Sequence, residues 1–305
     1  MSVITTGNHP KALWPGVYAW FGAQYNNHEA EYPQLFDVRS STKNFEEAVE
    51  QTSFGLAPIK PEGAPTQFDQ HQQGFTKRYI HVAYSLGYIV TREELSDNLY
   101  TEVSMQRAQS LAFSMAQTRE NVGAQVYNRA FNTSYLGGDA KALCVTDHPS
   151  LSGDQSNALS SAADLTETAL EDMCVMIMNA TNSRGLKISL RPTRLLVAPS
   201  NAFNAERILR STLQTTIVSS VATNAINALR SRSAVPEYAV NHYLTDSDAW
   251  FLRTNAPNGL TWMDREAVTF QKDTDFDTDN AKAKAYMRFS CGWTDWRGVY
   301  GTPGA

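Results

Sequence analysis

The chain has 305 residues, 42% hydrophobic and 19% charged, the balance of an ordinary globular protein long enough for one large domain or two modest ones. Its formal net charge of −5 gives no overall basic footprint of the kind nucleic-acid binders carry. Three widely spaced cysteines, Cys144, Cys174 and Cys291, argue against a disulfide framework. No signal-like N-terminus and no apolar run near the ~20 residues of a bilayer span are present, so a soluble protein made in a cytoplasm is expected.

Residues 1–34 are aromatic-rich without a clean period, with Trp14, Tyr18, Trp20, Phe21 and Tyr25. Such a segment is expected to pack against the body or a neighbour. Next, "NFEEAVEQTSFG" and "YIHVAYSLGYIV" read as two strands, the second from the alternation of Ile80, Val82, Tyr84, Leu86, Tyr88 and Val90. Between them Pro58, Pro61, Gly63 and Pro65 prevent regular pairing, which predicts a long projecting hairpin with an irregular tip.

The longest helical pattern follows. Leu99, Val103, Leu111, Met115, Val122, Val126 and Ala130 form one apolar stripe, with Val122 taken as core. Continuous from Leu95 to Phe131, this spine would be roughly 55 Å long at ~1.5 Å per residue, with Gly123 its one interior weak point. A Gly/Ser/Asn/Asp-rich stretch after it reads as loops with short strands. Asp164 or Thr166 then caps a helix carrying Leu170, Cys174, Ile177 and Met178. "TRLLVAPS" reads as a buried strand, "NAFNAERILRS" as the helix it feeds, and "AVPEYAVNHYL" and "AWFLRT" as further strands of an α/β unit.

Near the C-terminus, "FQKDTDFDTDNAKAKAYMRFSCGW" places aspartates at alternate positions. A calcium loop starting at Asp273 would need glycine and glutamate where Thr278 and Lys284 stand, so that motif fails. Alternation of Ala281, Ala283, Ala285, Met287, Phe289, Cys291 and Trp293 predicts a strand instead. With a four-residue loop "TDNA", Asp277 lies opposite Lys282 and Asp275 opposite Lys284. The same register sets Phe276 over Ala283 and Phe270 over Phe289. The acidic row then reads as the solvated face of a hairpin.

Other chemistry is thin. His28–Glu29 lacks the second histidine of a zinc-protease helix and reads as coincidence, while Cys144 with His148 lacks a second ligand pair and reads better as a buried cysteine and a loop histidine. Glu93 and Glu94 fit the first turn of the spine, where the helix dipole favours anions. There is no phosphate loop, no G-x-G-x-x-G and no G-x-S-x-G. No catalytic, metal or cofactor residue is assigned, and Ser200 with His242 is the only vague pair for a hydrolase.

The order of "YSLGYIVTREELSDNLY", "LGGDAKALCVTDHP", "LTETALEDMCVMIMNATNSRGLKISLRPTRLLVAPSNAFNAERILRS" and "YMRFSCGWTDWRGVYG" resembles tailed-phage major capsid proteins of the Hong Kong 97 phage fold. Of these it is most similar to the branch of the Mu-like major head subunit. Motifs carry the resemblance from about Tyr84 onward, and layout alone carries it before that. It implies an α+β fold with an N-arm at 1–34 and an extended E-loop at 35–84. A peripheral domain would comprise 85–162 and 258–305, with the spine at about 95–131 and a C-terminal β-hairpin at about 266–296. Residues 163–257 would be an axial domain.

The resemblance further implies hexamers and pentamers that close an icosahedral shell around a double-stranded DNA genome, without enzymatic activity. Intersubunit contact is then expected from Trp14, Tyr18, Trp20 and Phe21 in the arm. At the E-loop tip it is expected from Pro58, Lys60, Pro61, Pro65 and Phe68. Implied partners are portal, scaffold and cement or decoration proteins, with DNA contacted non-specifically and no membrane. The implied location is the virion, after assembly in the host cytoplasm. Lys60 and Lys77 are marked by no motif, so no cross-linking is carried over. Encapsulin-type shells around cargo enzymes share the fold and are the alternative.

Overall fold

The computed structural model describes residues 21, 22, 25, 28–96, 100–218, 221–275, 277 and 279–305. Two four-stranded sheets and two separate hairpins carry the chain. After a one-turn helix α1 (Tyr32–Leu35), strand β1 (Asp37–Ser40) runs parallel to β10 (Leu260–Thr274). That sheet continues through β11 (Ala281–Trp293) to β4 (Val82–Val90), in the order β1-β10-β11-β4. A short helix α2 (Arg92–Ser96) precedes the spine helix α3 (Tyr100–Asn128), which packs on this sheet.

The first core forms between spine and sheet. Leu111, Met115 and Tyr127 from α3 meet Trp262, Met287 and Phe289 from the strands. Trp262 stacks on Phe289 with centroids 4.4 Å apart, and Tyr84 stacks on the same ring at 4.8 Å. A Cβ at Gly123 would meet Phe36 and Trp262 at 3.4 Å, an ordinary contact distance, and the helix runs through this predicted weak point. The described spine, Tyr100–Asn128, is about 43 Å long. Residues 97–99, Leu99 among them, lie outside the described residues. Val122 is half-buried against the core, as expected of the stripe.

The second sheet has the order β12-β9-β5-β8, from Val299–Thr302, Trp250–Thr254, Pro192–Val197 and Glu237–Val240. Its run "RLLVA" is apolar at consecutive positions because both faces are covered. Leu195 and Val197 face a second core, while Leu196 and Ala198 face the first. Helices α4 (Glu167–Met178) and α5 (Ala202–Arg210) supply the second core, with Leu170, Met173, Ile177, Ala205 and Leu209. Thr166 is the cap of α4, its side chain accepting from Ala169 N at 3.2 Å. A hairpin of β6 (Leu213–Val218) and β7 (Val221–Ile226), not expected from sequence, leads to α6 (Ala228–Ser231). The terminal strand β12 belongs to this sheet, so residues 258–305 do not all side with the spine.

Three sequence expectations are corrected. The projecting hairpin is β2 (Phe45–Gln51) with β3 (Gln73–Ile80), and the expected strand "YIHVAYSLGYIV" is two strands in two sheets. The switch occurs at His81, a buried residue whose ring bonds Ser41 Oγ at 3.2 Å and Ser290 Oγ at 3.0 Å. Second, the β10–β11 register differs by four: Asp273 faces Lys282 and Gln271 faces Lys284. The turn spans 275–280, with Asp279 in the left-handed region at φ 55° and Asp275 N donating to Asn280 O at 2.9 Å. Asp275 still reaches Lys282 at 2.6 Å, but Asp277 does not lie opposite Lys282, nor Asp275 opposite Lys284. Ring packing explains the shift. Phe289 is taken up by Trp262 and Tyr84, so Phe270 sits opposite small Ala285, where Phe21 stacks on it at 4.8 Å. Phe276 lies outside the described residues.

Third, Phe21, expected to face a neighbour, is buried within its own subunit. Trp14, Tyr18 and Trp20 lie outside the described residues.

Candidate functional site

The β2–β3 ladder ends at Thr52, which closes it. Thr52 N donates to Gln72 O at 3.1 Å, and Gln72 N donates to Thr52 Oγ1 at 2.9 Å. Beyond this clasp the chain has no regular structure except a turn at Glu62–Gly63, where Gly63 takes φ 78°. Pro58, Pro61 and Pro65 cannot donate to a ladder, which keeps the tip irregular.

The tip is apolar yet uncovered. Ile59 and Phe68 are each 95% exposed and Leu56 81%, with Phe54 more than half exposed. Pro58, Lys60, Pro61 and Pro65 are exposed as well. Single exposed apolar residues are ordinary, but four large ones on one projecting segment are not.

The base of the hairpin, by contrast, is fastened to the body. Tyr79 is buried and its hydroxyl bonds Thr294 Oγ1 at 2.6 Å. Burial, partly offset by the bond to Thr294, pushes its hydroxyl up to about 12. Lys77 donates to Leu136 O at 2.9 Å with its ammonium 5.3 Å from the Trp293 ring, and burial lowers its pKa. Asp69 accepts from Gly55 N at 2.7 Å and from Arg184 at 2.6 Å, while Arg184 also reaches Gln70 O. Backbone N–H groups of Gly55 and Gln70, then Arg184, hold the Asp69 carboxyl below its usual range. On the opposite strand, burial and then Asp295 raise Glu50, against the pull of Arg297. The hairpin is thus a fastened stalk with a bare apolar head.

The loops at 132–165 contain the other organised feature. His148 and Asn157 are both 0% exposed. The His148 ring faces Asp139 Oδ2 at 2.6 Å and Asn157 Oδ1 at 3.1 Å, and stacks on Trp296 at 4.3 Å. Asn157 Nδ2 donates to Leu143 O, Val299 O and Trp296 O at 2.7, 2.9 and 3.2 Å, and its Oδ1 accepts from Val145 N. His148 is thus a sealed structural hub and not a surface loop histidine. Cys144 beside it is buried, with its thiol pushed well above the usual range.

Other candidates do not converge. Ser200 Oγ donates to Ser247 O at 2.7 Å, and His242 faces Glu31 at 2.6 Å, so the pair is not joined. A cleft of about 870 Å³ lies between α4 and α6, lined by Cys174, Val175, Met178, Leu229 and Pro236. Burial lifts the Cys174 thiol there to about 12, leaving it protonated and inert at neutral pH. Glu94 pairs with Arg107 at 2.8 Å. Among the described residues no group of three or more His, Cys, Asp or Glu side chains is placed to hold a metal ion. Among them, too, no helix is long and apolar enough to cross a membrane.

Sequence reasoning found the prolines and Phe68 at the tip but missed Leu56 and Ile59. Apolar residues scattered between prolines were the available signal. Arg184 left no local signal because Asp69 is far from it in sequence. The Asp139–His148–Asn157 hub left none because its members, nine residues apart, share no secondary-structure period and close on the distant Trp296 and Val299.

The phage capsid protein family matches residues 76–302 of this chain. No curated protein matches its sequence. Among solved structures it is similar to a virus-like particle protein of Pyrococcus furiosus, with 11% identity and a TM-score of 0.54. That match covers 94% of this chain and 98% of the other. It is similar to the procapsid protein of bacteriophage JBD30, with 13% identity, TM-score 0.50, and coverage of 98% and 76%. A holo encapsulin complex from Synechococcus elongatus is also similar, with 11% identity, TM-score 0.51, and coverage of 89% and 86%.

Proposed function

The chain belongs to the phage capsid protein family, and from that premise we propose that it is the major capsid protein of a tailed phage with the Hong Kong 97 phage fold. Copies would assemble as hexamers and pentamers into an icosahedral shell enclosing double-stranded DNA. The observation that carries this reading is the apolar tip on a fastened stalk. Its own subunit leaves it uncovered, and repeating one contact in every copy would cover it. The β2–β3 hairpin is the E-loop in this reading, the spine with the first sheet the peripheral domain, and the α4–α5 sheet the axial domain. Residues 1–34 would supply the N-arm, its contacts coming from positions before Phe21.

Placement beside the Mu-like major head subunits rests on motif order alone. Portal, scaffold and cement or decoration proteins, with non-specific contact to packaged DNA, complete the proposed assembly in a host cytoplasm. The role proposed is structural rather than catalytic. The same fold in an encapsulin supports a second reading, a shell around cargo enzymes. The contents of purified particles separate the two.

The test is sedimentation velocity followed by electron microscopy, with any scaffold supplied. Closed particles, or rings of five and six, are expected from the intact chain. Deleting Leu56–Gln73 should leave a folded subunit that forms none. Ordinary particles from the deletion would remove the tip from the contact, and a persistent monomer from the intact chain with scaffold would remove the shell reading.

A further inference from the structure

Residues 31–39 cross from the spine helix to the second sheet and bond to both. On one side Tyr127 Oη donates to Leu35 O at 2.7 Å. On the other, Arg253 donates to Gln34 O at 3.0 Å and pairs with Asp37 at 2.9 Å. Two carboxylates stand where this crossing begins. Glu31 accepts from His242 N at 2.9 Å and faces the His242 ring Nδ1 at 2.6 Å, tying the segment to the loop after β8. Glu31 N donates in turn to Glu120 Oε1 at 3.0 Å.

Glu120 is on the spine and 1% exposed, and its second oxygen, Oε2, has no hydrogen-bond partner. The neighbouring cation is engaged elsewhere. Arg119 bonds Tyr25 Oη at 3.2 Å and pairs with Asp264 of β10. The remaining ionisable neighbours are Tyr32 on the crossing, with His28 ahead of it, and Tyr243 beside His242. The Tyr243 hydroxyl lies 3.5 Å from the His28 ring.

We propose that Glu120, Glu31 and His242 form a proton-controlled joint that holds the crossing segment tightly while the buried Glu120 carboxyl carries its proton and loosens it when that carboxyl is ionised. The buried Glu120 carboxyl receives the Glu31 backbone N–H on one oxygen and leaves the other bare, so its ionised form is poorly solvated there and feels the nearby Glu31 charge. Burial is the main cause that pushes Glu120 from its usual 4.5 up to about 7. The charge of Glu31 adds to it, while N–H bonds from Glu31 and Tyr32 and the field of Arg119 oppose it. A carboxyl raised in the docked state binds its proton more tightly there than when undocked. Docking is therefore weakened as pH climbs from about 4.5 to about 7, and it stays weakened above that. The inference rests on bonds within one chain and stands apart from the shell reading.

The test is amide hydrogen exchange on the intact chain at pH 6 and 8.5, in one assembly state and with intrinsic rates divided out. The opening constants of the His242 and Phe36 amides should rise by about tenfold at the higher pH, from a carboxyl moved between about 4.5 and about 7. Glu120→Gln keeps the acceptor at Oε1, removes the ionisation and should abolish the rise. Glu31→Gln, a second route should the first variant fold poorly, should shrink it. A flat wild-type profile overturns the joint. So does a full rise surviving in Glu120→Gln, and a rise that vanishes only in His242→Gln would assign the titration to the imidazole instead.

Discussion

Two irregular stretches, 53–71 and 132–165, resemble each other in sequence but meet opposite fates. Both lack regular strands and are rich in turn-forming residues. The first is fastened only at its base and bares Ile59 and Phe68 to solvent, whereas the second is sealed around Asp139, His148 and Asn157. The difference lies in which side chains answer the backbone. Asn157 satisfies three carbonyls and one N–H by itself, so its loops can be buried without orphaned groups. In the first stretch Asp69 answers only the Gly55 and Gln70 N–H groups near the base, and between them the prolines remove donors without supplying partners. Irregular backbone thus enters a core only where a polar side chain is built in to receive it.

This contrast should appear as a gradient of stability. Asn157→Ala should be the most damaging change, costing about 3–5 kcal/mol because several buried groups lose their partner together. Denaturant unfolding would measure it, and a loss below ~1 kcal/mol would show the hub to be dispensable. Val122→Asp places a charge against the first core at a half-buried site and should cost about 2–4 kcal/mol by the same measurement.

Arg184→Ala should change global stability by no more than ~1 kcal/mol, since both it and Asp69 are partly exposed. Hydrogen exchange should nevertheless quicken at Gly55 and Gln70 while the β2–β3 ladder stays protected. Unchanged exchange there would mean that Thr52 alone clasps the tip. At the bottom of the series, Ile59→Ser with Phe68→Ser should leave the unfolding midpoint within ~0.5 kcal/mol of the parent. Particle yield should collapse in the same variant. A large stability loss would place the tip inside its own subunit's core.

The second lobe was largely legible. Thr166 as a cap, "RLLVA" as a strand buried on both faces and "NAFNAERILRS" as a helix all depend on local chemistry. The spine was legible as a stripe, whose described part runs from Tyr100 to Asn128. The hairpin's position was legible from its prolines, and its true partner strand was not. Ile80 and Val82 keep one alternation across His81, while the switch of sheets depends on Ser41 and Ser290. The acidic turn failed for a related reason. Charge pairing offered Asp277 to Lys282, but the placement of Phe270, Phe289 and Phe21 outweighed exposed ion pairs of small value. The bare apolar head could be anticipated from composition. The pins that hold its stalk could not, since Arg184, Thr294 and Leu136 are far from the hairpin in sequence.

The pairing of β1 with β10 and of β12 with β9 also bears on how the molecule is born. Residues 37–40 find their partner only after 261–264 have left the ribosome, and the second sheet gains its outer strand only at 299–302. At about 5–20 residues per second, the first strand waits on the order of ten to forty seconds. Until residues 261–264 and 299–302 emerge, neither sheet has its full set of strands.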